Sequence, residues 1–355
     1  MRLFLVFTFL CSALLHTLEA YQVYVSNFGS NSVSRIDTGT NTVTATISVG
    51  TSPQFLAVSP DDLSVYVSNR DDNSVSVIDT ATNTVSATIS VGASPNFMTF
   101  TPDGSTVYVA NVADGTVNAI DTATSTVTAT ITVGMTPYFI SVTPDGSTVY
   151  VVCPLSSAVS AIETVTNTVI ATIAVGALPV YLSISPDGQY VYVDNSYDNT
   201  VSVIETATNT VASTICSAIV PRFLSVTPDG SKVYVANIDF NAVSVISTSD
   251  NKTITAVRVG TLPEFLTITP DGAAVYVSNT TGDTVSAIST ATDTLAADIP
   301  VGRNPSYLRS TPDSETIYVP NDGENTVSVI SVSTNTVIAT ITVGDAPGFV
   351  AISAN

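Results

Sequence analysis

The chain has 355 residues, of which 29 are acidic and 9 basic, so its formal net charge at pH 7 is −20. This charge disfavours nucleic acids and anionic membrane surfaces as partners, because phosphate binding needs clustered Lys and Arg. The single histidine, His16, lies in an apolar N-terminal segment, and the rest of the chain has none. That composition excludes Ser-His-Asp and Cys-His nucleophilic sites and histidine-ligated metals or haem in the remaining residues.

The first 20 residues have the pattern of a secretory signal peptide. Arg2 precedes an apolar run at residues 3–15, and a polar stretch then ends at Ala20, a small residue suited to cleavage. The apolar run is shorter than the roughly 20 residues that a spanning helix needs. We therefore expect residues 1–20 to be removed and residues 21–355 to be secreted, with no later transmembrane segment. The expected locations are the periplasm, the cell surface or the extracellular medium.

A repeat of 42 residues fills the chain after this leader. A YVxN-type tetrapeptide recurs with that period and without insertion or deletion, its tyrosines being Tyr24, Tyr66, Tyr108, Tyr150, Tyr192, Tyr234, Tyr276 and Tyr318. A proline keeps the same period, at Pro53, Pro95, Pro137, Pro179, Pro221, Pro263, Pro305 and Pro347. Periods of about 20–50 residues indicate solenoids, propellers or arrays.

Each repeat predicts four short β-strands, which we name A to D. In one repeat, A lies around Phe97, B around Val107, C around Val117 and D around Val127, and Thr-Pro-Asp-Gly joins A to B. The segments are rich in Val, Ile, Thr and Tyr, and turn residues separate them. Four-stranded units of about 40–45 residues are typical of β-propeller blades. The fold class is therefore all-β, with the apolar strand A innermost and strand D at the solvated rim.

The two chain ends predict how the propeller closes. The sequence after the leader begins with strands B, C and D, from Gln22 to about Ser48, and ends with a lone strand A at residues 349–353. Together these segments make one composite blade beside seven continuous ones. A seven-bladed ring would leave strand edges unpaired at both ends. We therefore predict one domain, residues 21–355, that forms an eight-bladed propeller.

The repeat resembles the YVTN β-propeller family, which includes archaeal surface-layer-type proteins and exported bacterial proteins. The resemblance is carried by the Pro-Asp-Gly turns, the Val-Gly-x-x-Pro segments and the YVSN or YVAN tetrapeptides at residues 24–27, 66–69, 108–111, 234–237 and 276–279. It implies export and a binding or structural role. It does not identify a ligand.

One face of the predicted disc varies between repeats and the other does not. Because strands alternate in direction, the D–A and B–C loops share one face (the variable face), and the A–B and C–D turns share the other (the uniform face). The residue after each repeating proline differs in every repeat: Gln54, Asn96, Tyr138, Val180, Arg222, Glu264, Ser306 and Gly348. Either loops without a constraint have drifted, or these residues line a ligand site at the channel mouth.

Three arginines join this candidate site. Arg309 replaces the Ala, Ser or Thr of the other repeats on strand A, and it either binds a carboxylate or phosphate or forms a structural ion pair. Arg222 and Glu264 lie in neighbouring repeats and either line the site or pair with each other, and Arg303 lies beside the same mouth. The candidate ligand-binding residues are Gln54, Asn96, Tyr138, Arg222, Glu264, Ser306, Arg303 and Arg309.

We predict no catalytic residue, no metal ligand and no cofactor. Calcium is the one metal for which oxygen ligands are at hand, from Asp71, Asp72, Asp194, Asp198, Asp239, Asp322 and Glu324, and these show no calcium-loop spacing. Cys153 ends a B strand and Cys216 a D strand, so their radial positions disfavour a disulfide. The sequons at Asn251 and Asn279 matter only in a source that glycosylates proteins.

Three functions are consistent with these observations. The first is an exported, non-enzymatic scaffold that binds a cell-surface or extracellular protein or glycan on its variable face. The second is a calcium-dependent hydrolase of the lactonase type, with Glu264 or nearby Asp residues holding the metal. The third is a structural layer component that associates through the uniform face.

Overall fold

The computed structural model of the protein describes residues 20–216 and 220–353. In these residues, 32 strands form eight antiparallel sheets of four strands each. The predicted eight-bladed propeller is confirmed. The predicted leader, apart from Ala20, lies outside the described residues. No helix in the described ranges is long and apolar enough to cross a membrane.

The strands follow one another at a regular spacing along the chain. The first fifteen are β1 (Gln22–Asn27), β2 (Ser32–Asp37), β3 (Thr42–Ser48), β4 (Pro53–Val58), β5 (Ser64–Asn69), β6 (Ser74–Asp79), β7 (Thr84–Ser90), β8 (Pro95–Phe100), β9 (Thr106–Asn111), β10 (Thr116–Asp121), β11 (Thr126–Thr132), β12 (Ile140–Val142), β13 (Thr148–Cys153), β14 (Ala158–Glu163) and β15 (Thr168–Ala174). A 3-10 turn, Pro154–Ser156, separates β13 from β14.

The second half of the chain repeats this arrangement. Its strands are β16 (Pro179–Ile184), β17 (Tyr190–Asn195), β18 (Thr200–Glu205), β19 (Thr210–Ile215), β20 (Pro221–Val226), β21 (Lys232–Asn237), β22 (Ala242–Ser247), β23 (Lys252–Arg258), β24 (Pro263–Ile268), β25 (Ala274–Asn279), β26 (Thr284–Ser289), β27 (Thr294–Pro300), β28 (Arg309–Ser310), β29 (Thr316–Asn321), β30 (Thr326–Ser331), β31 (Thr336–Thr342) and β32 (Pro347–Ser353). A second 3-10 turn, Ile238–Phe240, follows β21.

The ring closes through strands from opposite ends of the chain. Blade 1 combines β1, β2 and β3 with β32, and every later blade holds four consecutive strands, from β4–β7 in blade 2 to β28–β31 in blade 8. In the closing pair, Val23 lies opposite Ile352 and Tyr24 opposite Ala351. The composite blade predicted from the chain ends is therefore the one observed.

Burial is greatest in the two middle strands of each blade and lowest at the rim. The B and C strands are almost wholly buried, whereas the D strand β11 alternates exposed and half-buried residues until Ile131. Most D strands carry Thr or Ser on the exposed side, which keeps the outer sheet edge solvated. The eight-fold repetition of this pattern distributes the apolar core between neighbouring blades.

The asparagine of the YVxN motif holds the B–C hairpin together. The Asn69 side-chain amide donates to the hydroxyls of Ser74 and Ser76 at 3.0 and 2.9 Å, and Asn69 itself is fully buried. A side chain on Gly50 would place its Cβ 2.6 Å from Cγ of Asn69, closer than real Cβ contacts come. This contact explains why glycine recurs in the Val-Gly-x-x-Pro segments, at positions 50, 92, 134, 176, 260, 302 and 344.

The aspartate of the Pro-Asp-Gly turn fixes the A–B connection. The Asp103 carboxylate accepts hydrogen bonds from the Thr101 hydroxyl at 2.6 Å and from the Ser105 backbone N–H at 3.0 Å. These bonds lower the pKa of Asp103, the Thr101 hydroxyl contributing most. Gly104 takes a φ of 70°, which glycine adopts without strain. Turn geometry therefore accounts for the sameness of the uniform face.

Candidate ligand-binding site

Eight aromatic rings close the central channel. The second residue after each repeating proline is Phe or Tyr, namely Phe55, Phe97, Phe139, Tyr181, Phe223, Phe265, Tyr307 and Phe349. Each ring contacts both neighbours around the channel, at centroid distances from 4.6 Å for Tyr181–Phe223 to 5.9 Å for Phe223–Phe265. Phe97 also reaches across to Phe349, at 5.5 Å. We call this layer the aromatic plug, and it separates a pocket on the variable face from one on the uniform face.

The pocket on the variable face, which we call the cup, has a volume of about 530 Å³. Four of the predicted ligand-binding residues line it, namely Gln54, Tyr138, Glu264 and Ser306. Phe265 and Phe349 of the aromatic plug form part of its lining. Pockets of about 300–1,000 Å³ with apolar walls and a few polar groups are typical of small-ligand sites.

Arg222 does not line the cup itself, but it contacts Glu264, which does. Its Nε lies 3.6 Å from Oε1 of Glu264, so the pairing considered from the sequence is present. Oε2 of Glu264 accepts a bond from the Thr280 hydroxyl at 3.2 Å. The contact joins blades 6 and 7 at the mouth, and it leaves Glu264 partly neutralised.

Three other predicted residues lie elsewhere. Asn96 is half-buried and does not line the cup. Arg303 lies on the exposed rim, where it pairs with Glu324 at 3.4 Å and donates to the Gly323 carbonyl at 2.8 Å. Arg309 lines the pockets on the far side of the aromatic plug, because strand A has passed the plug two residues earlier, at Tyr307.

The cup also contains residues outside the predicted ligand-binding set. Arg70, Thr280, Asn304 and Asp322 line it together with Phe28. Arg70 is exposed and has no ion pair with any residue in the described ranges. Burial raises the pKa of Asp322. Arg70, Thr280 and Asp322 lie in B–C loops and Asn304 in a D–A loop, and the repeat pattern does not show which of these loops line the channel mouth.

Asp194 is a buried carboxylate in blade 5, bonded to the backbone of the plug residue Tyr181. It replaces the Ser or Ala of the YVxN motif, is fully buried, and accepts bonds at Oδ1 from the backbone N–H groups of Val180 and Tyr181 at 2.9 and 2.6 Å. Its Oδ2 has no hydrogen-bond partner among the described residues. Burial raises the pKa of Asp194 to about 7, although the two N–H bonds and the charge of Arg222 oppose that shift.

The acidic residues considered for calcium have local roles. Asp72 accepts a bond from the Thr51 backbone N–H at 2.5 Å, and Asp198 one from the Ala177 N–H at 2.8 Å. Glu324 pairs with Arg303. In residues 20–216 and 220–353, no three Asp, Glu, His or Cys side chains come close enough to hold a metal ion. The loop carboxylates instead fix the D–A loops to the B–C loops.

The two cysteines of the described ranges are free thiols. Cys153 is buried and Cys216 is exposed. Cys153 occupies the place of the motif asparagine, and its sulfur lies 3.9 Å from the Ser160 hydroxyl, so it takes over part of the hairpin contact. Burial raises the pKa of the Cys153 thiol.

The fold and its blind pocket define an eight-bladed β-propeller with a candidate site for a small ligand or the end of a larger one. Residues 11–103 and 97–192 match the family model of YNCE-like beta-propellers, and the chain belongs to this family. The curated proteins include no match to its sequence. The closer resemblance to surface-layer-type YVTN proteins stays a prediction.

Solved structures share the fold at low sequence identity. Dihydro-heme d1 dehydrogenase NirN in complex with DHE is similar at a TM-score of 0.77 and 17% identity, over 93% of this chain and 74% of that one. Kuenenia stuttgartiensis hydrazine synthase gives 0.66 and 24% identity, over 79% of this chain and 96% of that chain. A functionally unknown protein from Desulfotomaculum acetoxidans DSM 771 gives 0.64 and 18%, over 93% and 98%. These likenesses show the fold alone.

Proposed function

We propose that the protein is an exported, non-enzymatic propeller scaffold that binds a cell-surface or extracellular ligand in the cup. The observation that carries the proposal is the contrast between the two kinds of position in strand A. The residues of the aromatic plug are Phe or Tyr in all eight blades, whereas the residues just above them differ in every blade. Structural demand accounts for the first set, and recognition of an asymmetric ligand accounts for the second.

The chemistry of the cup favours the end of a glycan over the surface of a folded protein. Its polar groups are an amide at Gln54, hydroxyls at Tyr138 and Ser306, a cation at Arg70 and carboxylates at Glu264 and Asp322. These groups donate and accept hydrogen bonds from several directions, and the aromatic floor suits the apolar face of a sugar. A cup of about 530 Å³ admits a few sugar units and is too small for a folded domain.

Export is the second part of this proposal, and it rests on the leader pattern at residues 1–20. Expression of the full chain in a secreting host tests it. We expect the exported protein to begin at Tyr21, as read by mass spectrometry of its N-terminal peptide. Retention of an intact N-terminus in the cytoplasm would contradict export.

Binding is tested with the secreted protein on an array of glycans. The cup variant combines Gln54→Ala with Arg70→Ala, since neither side chain makes a hydrogen bond to another described residue. The control is Val165→Ala, because Val165 is 88% exposed in a C–D turn on the uniform face. We expect glycan binding that the cup variant loses and the control keeps. Binding that survives the cup substitutions would place the site elsewhere, and an array without any signal would turn the search to protein partners.

The calcium-dependent hydrolase finds no support among the described residues. Such a site needs six to eight oxygen ligands around one point, and the carboxylates available to it are held in separate loops.

A further inference from the structure

We infer a second ligand site, on the uniform face below the aromatic plug, that takes a small organic monoanion bearing a carboxylate and hydroxyl groups. Two adjoining pockets of about 410 and 560 Å³ open there, and both are lined by Arg309. We call the pair the lower funnel. The plug forms its floor through Phe55, Phe139, Phe223 and Tyr307, so the lower funnel is a separate site from the cup.

Arg309 is the one charged side chain that lines the lower funnel in the described ranges. It makes no ion pair or side-chain hydrogen bond to a described residue, and its guanidinium carbon lies 5.7 Å from the centroid of the Tyr307 ring. At the matching position the other blades have Ala57, Thr99, Ser141, Ser183, Ser225, Thr267 and Ala351. These side chains are short and offer no negative charge, so the five donors of the guanidinium face open space. An arginine so placed binds a carboxylate through two parallel N–H···O bonds.

The two halves of the lower funnel differ, and their difference specifies the rest of the ligand. The smaller pocket has a row of hydroxyls from Ser141, Ser183, Ser225 and Thr267, four consecutive blades. The larger pocket is lined mainly by apolar residues, including Ala57, Phe100 and Ala351, with hydroxyls only at Thr99 and Ser310. A ligand whose carboxylate meets Arg309 places its neighbouring hydroxyls along the hydroxyl row. Hydroxy acids and sugar acids have this combination of groups.

The net charge of the protein limits the ligand to a single negative charge. At −20 the protein repels polyanions, and one guanidinium offsets one carboxylate. The acidic turn residues do not interfere locally, since the Pro-Asp-Gly carboxylates are bonded into their own turns, as at Asp145 and Asp187. Apart from Arg309, the lower funnel is therefore lined by uncharged side chains, with the hydroxyl row in its smaller half.

Isothermal titration calorimetry at low ionic strength tests this site with galacturonate as the probe and galactose as its neutral counterpart. We expect galacturonate to bind at least tenfold more tightly than galactose. Arg309→Gln should reduce galacturonate binding at least tenfold, whereas Lys252→Gln, at an exposed position outside both pockets, should leave it unchanged. Equal affinity for the two sugars, or an unchanged affinity in Arg309→Gln, would overturn the site.

A second variant separates the hydroxyl row from the cation. Ser225→Ala with Thr267→Val preserves shape while removing two hydroxyls, and we expect it to weaken galacturonate binding without weakening acetate binding. Inorganic phosphate serves as the competing anion. Competition by phosphate as strong as that by galacturonate would reduce the lower funnel to a general anion site and overturn the assignment of a hydroxylated carboxylate.

Discussion

The Tyr318 hydroxyl donates a hydrogen bond to Oδ1 of Asn41 at 2.8 Å, although 277 residues separate them in the chain. The same contact joins Tyr108 to Asn167 and Tyr276 to Asn335, each at 2.7 Å and 59 residues apart. In each case the tyrosine of one YVxN motif reaches the C–D turn of the next blade. The contact between Tyr318 and Asn41 thus seals blade 8 to blade 1 with the geometry used elsewhere in the ring.

Tyr318→Phe should lower the free energy of unfolding by about 1–2 kcal/mol, because it leaves the Asn41 oxygen without its donor. Urea denaturation of Tyr318→Phe, Asn41→Ala and the double variant measures the coupling between the two side chains. Tyr276→Phe is the matched control, since it breaks the same bond between blades 7 and 8. A double variant whose loss equals the sum of the two single losses would show that the bond contributes nothing.

Gly92→Ala should destabilise the protein by about 1–3 kcal/mol, because it adds a methyl group where the packing leaves no room for one. The new Cβ would lie 2.8 Å from Cγ of Asn111, which is buried and bonded to Thr116 and Asn118. Gly348→Ala is the control, because its Cβ would meet nothing nearer than 3.9 Å. Thermal unfolding compares the two variants, and equal melting temperatures would contradict the packing argument.

Asp194→Ser should remove a pH dependence of stability that is present in the natural chain. The pKa of Asp194 is raised to about 7 in the folded protein, so the folded state holds its proton more tightly than the unfolded state does. The stability contributed by the protonated form is complete below about pH 4 and is lost as pH rises through 7. The difference amounts to about 4 kcal/mol at most.

Serine suits this position because Ser68 occupies the equivalent place and accepts the Phe55 N–H at 3.0 Å. Urea midpoints at pH 5 and 8 give the test, and the natural chain should lose more stability than Asp194→Ser between these values. Asp187→Asn is the opposite control. The pKa of Asp187 is lowered, chiefly by the Ser185 hydroxyl, so its contribution disappears as pH falls instead. A natural chain and an Asp194→Ser variant with parallel pH profiles would refute the assignment.

Phe97→Ala should cost about 3–5 kcal/mol, the usual loss for truncating a buried phenylalanine. Phe97 is fully buried and touches five other aromatic rings, so the cavity cannot be filled by a single neighbour. Phe97→Leu keeps most of the volume and should lose much less. Chemical denaturation of both variants is the measurement, and similar losses would mean that the aromatic plug is not tightly packed there.

Calcium and EDTA should leave the melting temperature of the secreted protein unchanged. A ligand at 100 times its dissociation constant adds about 2.7 kcal/mol to the free energy of unfolding, which a thermal scan detects. Magnesium at equal ionic strength controls for screening of the −20 charge. A rise specific to calcium would contradict the scaffold proposal and revive a metal-dependent activity.

The architecture was predictable from the sequence because the 42-residue period leaves no freedom in register. Each repeat has its turn signals at the same places, and the chain ends complement each other, so the pairing of β1 with β32 followed directly. The pairing of Arg222 with Glu264 was also accessible, since equivalent positions in adjacent blades are neighbours.

The position of each side chain along the channel axis could not be derived from the 42-residue period. The sequence shows an aromatic residue after every variable position. It does not show that the eight rings meet at one level and block the channel. Arg309 lies only four residues after Pro305, and that distance is enough to carry it past the plug to the other face. Asn96 shares its strand position with Gln54, but it does not line the cup. Such differences between blades arise from the shapes of the loops, which the 42-residue period does not determine.

The aromatic plug blocks the central channel of this propeller, so the channel does not run from one face to the other. Every ring contacts its two neighbours, and several also contact the ring two blades away, so the layer is closely packed. A solute that enters the channel from one face therefore has to leave through the same face. A solute on one face does not block the opening on the other. The two proposed ligand sites therefore lie on opposite sides of the plug, and we expect each to fill independently of the other.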